Sequence, residues 1–265
     1  MELQLGDVQT TALIPLAIKA NETKRKKARI SDPIAVEIID ALGVDTEPYD
    51  KFMSHEGVVA RTIMLDRQLN QIIRNHPDTV VVNVGAGFDN RFSRVDNGMI
   101  TWFDLDLPDS IAARKKAFPE RERVTMLAGN ALDTEWCAQV KDAVLISKSK
   151  PVFIAEGQFM YLTMEQIKIF LTILKWNFPD GGTLIAEQNC KAMVNNEKHH
   201  DAVKSTNAHF VSGTDSGQEI ADLVPGFRLV EEHSFNEEMR KYSFRAKLFA
   251  TFLPKMNNRW ATFEW

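Results

Sequence analysis

The chain has 265 residues, a formal net charge of −4 at pH 7, 44% hydrophobic residues and 26% charged residues. These proportions exclude disordered and fibrous proteins, and the mild acidity argues against a general nucleic-acid binder. No apolar run approaches the ~18–20 residues that span a bilayer, and Cys137 and Cys190 form neither a disulfide framework nor metal-ligand spacing.

The opening stretch is apolar only over 12–20, with Lys19 its one interior charge. It has no basic n-region and no small-residue cleavage site, so no secretory leader is expected. The expectation is a soluble, reduced, cytoplasmic protein. Lys24-Arg25-Lys26-Lys27, with Arg29, is the one dense charge run. It reads as a solvated helix face or as an attractor of nucleic acid or anionic lipid. Asp32 and Pro33 then start a helix, the carboxylate as N-cap and the proline at the first position, where its missing N–H is not needed. Ala35, Ile38, Ile39 and Leu42 share its face and Gly43 stops it. A second helix is predicted over 57–75, ended by Pro77. The β-branched run over 79–84 is too short for a helix and reads as a strand buried on both faces.

Strands and helices alternate from there. Strands are predicted over 99–105, 124–127, 151–155 and 183–187, with helices over 108–118 and after the capping box Thr163-Met164-Glu165-Gln166. Residues 189–217 are polar and resist assignment. The runs 228–232 and 246–252 read as final strands. This alternation predicts one α/β domain with a mostly parallel sheet, beginning near residue 79 and preceded by a 78-residue helical cap.

Open parallel sheets bind ligands beyond the carboxyl ends of their strands. Gly85 and Gly87, flanking Ala86 after the first strand, allow a tight turn and close approach of a ligand to backbone. A dinucleotide fingerprint wants a third glycine, and that position holds Asn90. Asp104 and Asp106 stand at the carboxyl end of the second strand, about 20 residues after the glycines, where an acid accepts ribose hydroxyls. Alternation points both to the same face, with Asp106 expected in the loop, nearer a ligand. The combination favours a nucleoside without a diphosphate, of which S-adenosylmethionine is the commonest.

At these residues the sequence resembles the leucine carboxyl methyltransferase family, particularly its bacterial branch of tetracenomycin-type polyketide O-methyltransferases. The resemblance rests on Ser31-Asp32-Pro33-Ile34-Ala35, Ala60-Arg61-Thr62 with Leu65-Asp66, and Asn83-Val84-Gly85-Ala86-Gly87-Phe88-Asp89-Asn90-Arg91. Phe103-Asp104-Leu105-Asp106-Leu107-Pro108, Ala128-Gly129-Asn130-Ala131-Leu132-Asp133 and the segment from Ile154 through Glu156 to Leu162 complete it. It implies a class I, Rossmann-like methyltransferase: a mostly parallel seven-stranded sheet, helices on both faces, an N-terminal cap over 1–78, a core over 79–265 and a substrate cap over 189–217. It also implies roles. Arg61 clamps the carboxylate of the cofactor's methionine part, a task suited to its planar fork. Gly85, Ala86 and Gly87 lie against that part, Asp106 holds the ribose, Asn130 and the backbone of Ala131 meet adenine, and Glu156 takes the ammonium or flanks the sulfonium. The sequence departs from the family pattern at Asn130 (commonly aspartate), Asn90 (often threonine) and Asp104 (often glutamate). With the cap over the pocket, the basic run gains a third reading, as a guide for anionic substrate.

Transfer from a sulfonium needs alignment and exclusion of water. A carboxylate acceptor arrives ionised, whereas a phenol or alcohol needs a base within reach. Tyr161, Gln158 and His199 are the candidates, with His200 and His209 nearby in sequence; the catalytic residue stays open. No metal is expected. The expected partner is a small-molecule acceptor, with no nucleic acid and no membrane. The alternatives are a nicotinamide-dependent oxidoreductase and a non-catalytic nucleoside-binding protein.

Overall fold

The computed structural model describes residues 11–194 and 209–265. Val80–Val84 forms β1, with every side chain buried. Val80, Val82 and Val84 pack into one apolar layer and Val81 into the opposite one, which explains the unbroken apolar run. The other strands are β2 (Thr101–Asp106), β3 (Val124–Ala128), β4 (Val152–Ala155), β5 (Thr183–Gln188), β6 (Arg228–Ser234) and β7 (Arg259–Glu264). They form one seven-stranded sheet in the order β3-β2-β1-β4-β5-β7-β6. β1 to β5 run parallel, and β7 lies antiparallel between β5 and β6. The chain leaves β1 to one side and returns through β4 on the other. Their carboxyl ends therefore flank the point where strand order reverses, the crevice in which open sheets hold ligands.

Ten α-helices accompany the sheet in the described residues: α1 (Leu13–Thr23), α2 (Pro33–Leu42), α3 (Phe52–Asn75), α4 (Phe92–Val95) and α5 (Pro108–Ala117), then α6 (Cys137–Ser147), α7 (Met164–Asn177), α8 (Gln218–Ala221), α9 (Asn236–Met239) and α10 (Phe244–Phe252). The start and stop signals act as their chemistry requires. Asp32 Oδ1 accepts from the Ala35 amide at 3.2 Å, Pro33 occupies the first position of α2, and Gly43 closes it at φ +61°. Thr163 and Gln166 cap α7 reciprocally. On one face, Leu65, Leu69 and Ile73 of α3 pack against Val81, Trp102 and Ile154. On the other, Val140 of α6 and Phe170 and Leu174 of α7 pack against Val80, Phe153 and Leu184. Helix α1 lies instead over the loop after β1, with Leu16, Ala17 and Ala20 sharing a cluster with Ile38, Ile39 and Phe88.

Two sequence expectations need correction. Helix α3 opens at Phe52 rather than near 57, because its extra turn buries the polar Ser54, His55 and Glu56, which apolar periodicity does not reveal. The run 246–252 is not a strand. It belongs to α10, capped by Ser243 Oγ accepting from the Ala246 amide at 3.3 Å. An apolar run of that length fits either period. Here the small Ala246 and Ala250, one turn apart, face inward. The last strand is β7, whose buried Trp260, Ala261, Thr262 and Phe263 mix small, polar and aromatic side chains and so gave no alternation.

Candidate active site

The loop leaving β1 is shaped by backbone. Gly85 and Gly87 adopt φ of +67° and +46°, where a Cβ is strained. A Cβ on Gly85 would also stand 2.1 Å from Gln158 Oε1. The Gly85 and Ala86 amides donate to the Leu105 carbonyl at 2.8 and 3.2 Å, which sews the loop to the end of β2. There Asp106 accepts from the Gly87 amide through Oδ2 at 2.8 Å and from the Leu107 amide through Oδ1 at 2.7 Å. Burial pushes its carboxyl above the usual range, outweighing those hydrogen bonds.

Asp104 shares that strand face but has a different task. It accepts from Trp102 Nε1 at 2.9 Å and from Arg114 Nε and Nη2 at 3.0 and 2.8 Å, and it is wholly buried. Arg114 in turn donates to the Gly87 and Asp89 carbonyls at 2.9 and 2.7 Å. Of the two acids, only Asp106 faces the cavity; Asp104 holds the arginine that grips the loop.

Beyond the glycines the loop enters α4, a helix of four residues. Asn90 is buried, with Nδ2 donating to Asp32 Oδ1 at 3.0 Å. The long helix start that seats a pyrophosphate is missing here, and Asp89, Asp106 and Glu156 line the space instead. Three carboxylates there disfavour a diphosphate.

The floor of the cavity is an ion network. Arg61 Nη1 donates to Glu187 Oε2 at 3.0 Å. Arg61 Nε lies 3.0 Å from Glu156 Oε1, an ion pair without a directed hydrogen bond. The fully buried Arg91 pairs with Glu156, with Asp89 at 2.6 Å and with Asp66 at 2.7 Å, and Lys19 reaches Asp89 at 2.7 Å. Burial favours the protonated form of Glu156, but the charges of Arg61, Arg91 and Lys19 win and hold its carboxyl down at about 2. Burial likewise opposes ionisation of Asp89, and Arg91, Lys19 and Arg94 hold it well below the usual carboxylate range. Glu187 also accepts from the Gly157 amide and from Asn258 Nδ2, each at 2.9 Å.

Arg61, Gly85, Ala86, Gly87, Asp106 and Glu156 thus line one cavity of about 340 Å³, together with Gln158 and Tyr161. Its opposite wall is apolar, with Met53, Val58, Met160, Phe210 and Phe249. Tyr161 packs against Phe210 with ring centroids 5.8 Å apart. Asn130 and Ala131 lie outside this cavity. Asn130 lines a neighbouring hollow of about 360 Å³ beyond β3, with Gly129 and Trp136, and its Oδ1 accepts from the Leu132 amide at 3.0 Å. His199 and His200 fall outside the described residues, and His209 is exposed. From the segment over 189–217, Met193 and Phe210 reach the cavity. Sequence reasoning missed Lys19, Asp89, Arg91, Glu187 and Asn258. The signals for two were present: Glu187 ends an apolar strand as Glu156 does, and Lys19 is a lone charge in an apolar helix.

The leucine carboxyl methyltransferase sequence profile matches residues 12–174. The chain belongs to that family. It is an S-adenosylmethionine-dependent methyltransferase. It is 24% identical over 235 residues to the tetracenomycin polyketide synthesis O-methyltransferase TcmP of Streptomyces glaucescens, covering 88% of this chain and 84% of that one. A putative S-adenosylmethionine-dependent methyltransferase of Mycobacteroides abscessus is 25% identical over 244 residues, covering 83% and 78%. Among solved structures, a putative methyltransferase from Thermobifida fusca superposes with a TM-score of 0.58 at 10% identity, covering 95% and 93%. Magnesium protoporphyrin IX methyltransferase from Synechocystis, with bound S-adenosylhomocysteine, gives 0.53 at 10% identity, covering 86% and 93%. These structures share the fold of this methyltransferase.

Proposed function

We propose that this methyltransferase transfers a methyl group to a carboxylate oxygen of a small, largely apolar acceptor. One observation carries the reading: a charged floor and an apolar wall meet in one cavity beneath α1.

The residues present fit the cofactor. Arg61 Nε is buried and donates no hydrogen bond, so a guanidinium N–H is ready for a carboxylate. Glu156, ionised through the physiological range, offers its charge to an ammonium. Gly85, Ala86 and Gly87 present bare backbone, and Asp106 keeps lone pairs for ribose hydroxyls. Asn130 and the backbone of Ala131, in and beside the hollow beyond β3, take the adenine. S-adenosylmethionine supplies a methyl group on a positively charged sulfur, already activated for displacement.

The protein's own work is alignment and exclusion of water. In this reading the helices before β1, within 1–78, act as a lid on the core over 79–265. Leu16 and Lys19 of α1 close the pocket from above, while Met193 and Phe210, from the proposed substrate cap over 189–217, close its far side. Glu156, held at about 2, and Asp89, held below its usual range, make poor bases. An acceptor that arrives ionised suits this site, because it needs no proton removed. Likeness to a polyketide O-methyltransferase supports an apolar, polyketide-like acid. A phenolic hydroxyl is the second reading, favoured by Tyr161 and Gln158 on the cavity wall, where either can orient an acceptor.

The test is a panel of aromatic and polyketide-like acids and phenols with radiolabelled methyl donor. A base-labile labelled product is expected. An alkali-stable ether as the sole product overturns the carboxylate reading. Calorimetry showing no binding of S-adenosylhomocysteine overturns the assignment of the cofactor residues.

A further inference from the structure

Helix α10 is inverted relative to an ordinary surface helix. It turns the small Ala246 and Ala250 inward and leaves Phe244, Leu248 and Phe252 exposed by 75%, 42% and 75%. These recur at i, i+4 and i+8, so they form one stripe, which Leu253 at 47% and Tyr242 at 49% extend. A contiguous exposed apolar patch of this kind marks an interaction surface.

Its flanks are basic. Arg240, Lys241, Arg245, Lys247 and Lys255 fall in the segment from Met239 to Phe263, which contains no acidic residue although the whole chain carries −4. The basic run near the start of the chain joins the same surface: the Arg29 guanidinium lies 5.4 Å from the centre of the Tyr242 ring, and Lys24 to Lys27 are exposed. Lys24, Arg25 and Lys241 are partly neutralised by Asp40, Glu22 and Glu238. Lys26, Lys27, Lys247 and Lys255 present exposed ammonium groups. Arg245, 4.1 Å from the centre of the Phe52 ring, fixes α10 to the start of α3. Phe249 of the same helix and Met256 just after it line the cavity, so α10 carries both the patch and part of the cavity wall.

We propose that α10 and the basic turn at 24–27 form a docking surface for an anionic lipid bilayer, which sets the mouth of the cavity against the membrane. The exposed side of α10 alone supplies what docking needs: apolar side chains that can enter the acyl boundary, bordered by Lys and Arg that are attracted to anionic headgroups. Phe244 and Phe252 project from a helix rather than line a groove, which suits insertion among acyl chains over capture of a partner's side chain. An apolar acceptor dissolved in that leaflet enters beside Phe249. The proposal departs from the sequence expectation of no membrane partner, and it concerns a surface, so it stands whichever oxygen is methylated.

The experiment is flotation of the whole protein with vesicles of phosphatidylcholine alone and of phosphatidylcholine mixed with phosphatidylglycerol. Binding is expected only to the mixed vesicles, weakening as salt is raised. Phe244→Ser with Phe252→Ser abolishes it, and each of Lys26→Gln, Lys27→Gln and Lys247→Gln lowers affinity roughly five-fold, equivalent to about 1 kcal/mol per cation. Unchanged S-adenosylhomocysteine binding by each variant verifies its fold. Failure of the wild type to float, or flotation indifferent to these substitutions, overturns the proposal. Retention on immobilised polyglutamate without vesicle binding assigns the surface to an acidic protein and also overturns it.

Discussion

Replacing Asp106 by asparagine separates its two duties. Its carboxylate accepts the Gly87 amide on one oxygen and the Leu107 amide on the other, at 2.8 and 2.7 Å. An amide has one oxygen, so in Asp106→Asn an NH₂ group must face one of those N–H donors. A backbone donor left unsatisfied costs about 1–3 kcal/mol, which appears as lost stability in a urea titration. Independently, in the proposed binding mode the ribose loses a charged acceptor, worth about 1.5–3 kcal/mol. That raises the dissociation constant for S-adenosylhomocysteine roughly 13- to 160-fold by calorimetry. The control is Asp104→Asn, two residues earlier on the same face, whose partners are Trp102, Arg114 and Asn83. It costs about 3–5 kcal/mol of stability, because it strips a buried guanidinium of its counter-charge. Its effect on binding is smaller and passes through the loop that Arg114 grips and through Asn83, which donates to Asp104 and lines the cavity. If Asp106→Asn folds and binds S-adenosylhomocysteine within about two-fold of wild type, on the scale where two-fold is about 0.4 kcal/mol, Asp106 does not hold the ribose.

Three further outcomes follow from the same geometry. Gly85→Ala places a Cβ at φ +67° and against Gln158, so it lowers stability by about 1–2 kcal/mol in urea. Adding Gln158→Ala relieves the collision but not the backbone strain, and complete recovery would refute a role for φ. Glu156 is held at about 2 against an ordinary 4.5, so its contribution to stability is complete above pH 4.5 and is lost as pH falls towards 2. Urea midpoints measured across that window should fall more steeply for wild type than for Glu156→Gln; parallel curves would show that the ion network does not perturb it. Phe210→Ala shaves the apolar wall opposite the ion network. It should raise the acceptor KM while leaving S-adenosylhomocysteine affinity alone, and the reverse pattern would move the acceptor elsewhere.

What could be read in advance was whatever short-range chemistry decides. The buried β1, the caps at Asp32 and Thr163, and the acids at the ends of β2 and β4 each announce themselves within a few residues. Arg61, Asp106 and Glu156 were legible partly through family resemblance, and the structure brings them to one cavity. What was not legible depends on which side chains meet once the chain has folded. The ribose acid was legible as Asp106, but that Asp104 is taken up by Trp102 and Arg114 was not. The segment over 246–252 carries apolar residues that fit helix or strand, and its helical form is decided by Ser243 and by room for two alanines. Glu187 carried the same signal as Glu156, but its importance comes from Arg61, 126 positions away in the sequence.

The placing of β7 between β5 and β6 bears on how the enzyme is born. Synthesis delivers β6 before β7, yet β6 joins the sheet only through β7. Until Arg259–Glu264 emerges from the ribosome, β6 has no strand to pair with. Asn258, just ahead of β7, then has no route to Glu187 on the cavity floor. Pairings this distant in sequence form late, after the cost of closing the intervening loops has been met. The pocket residues on and just after β1, β2 and β4 thus precede in the chain the strand that locks β6 into the sheet and brings Asn258 to Glu187.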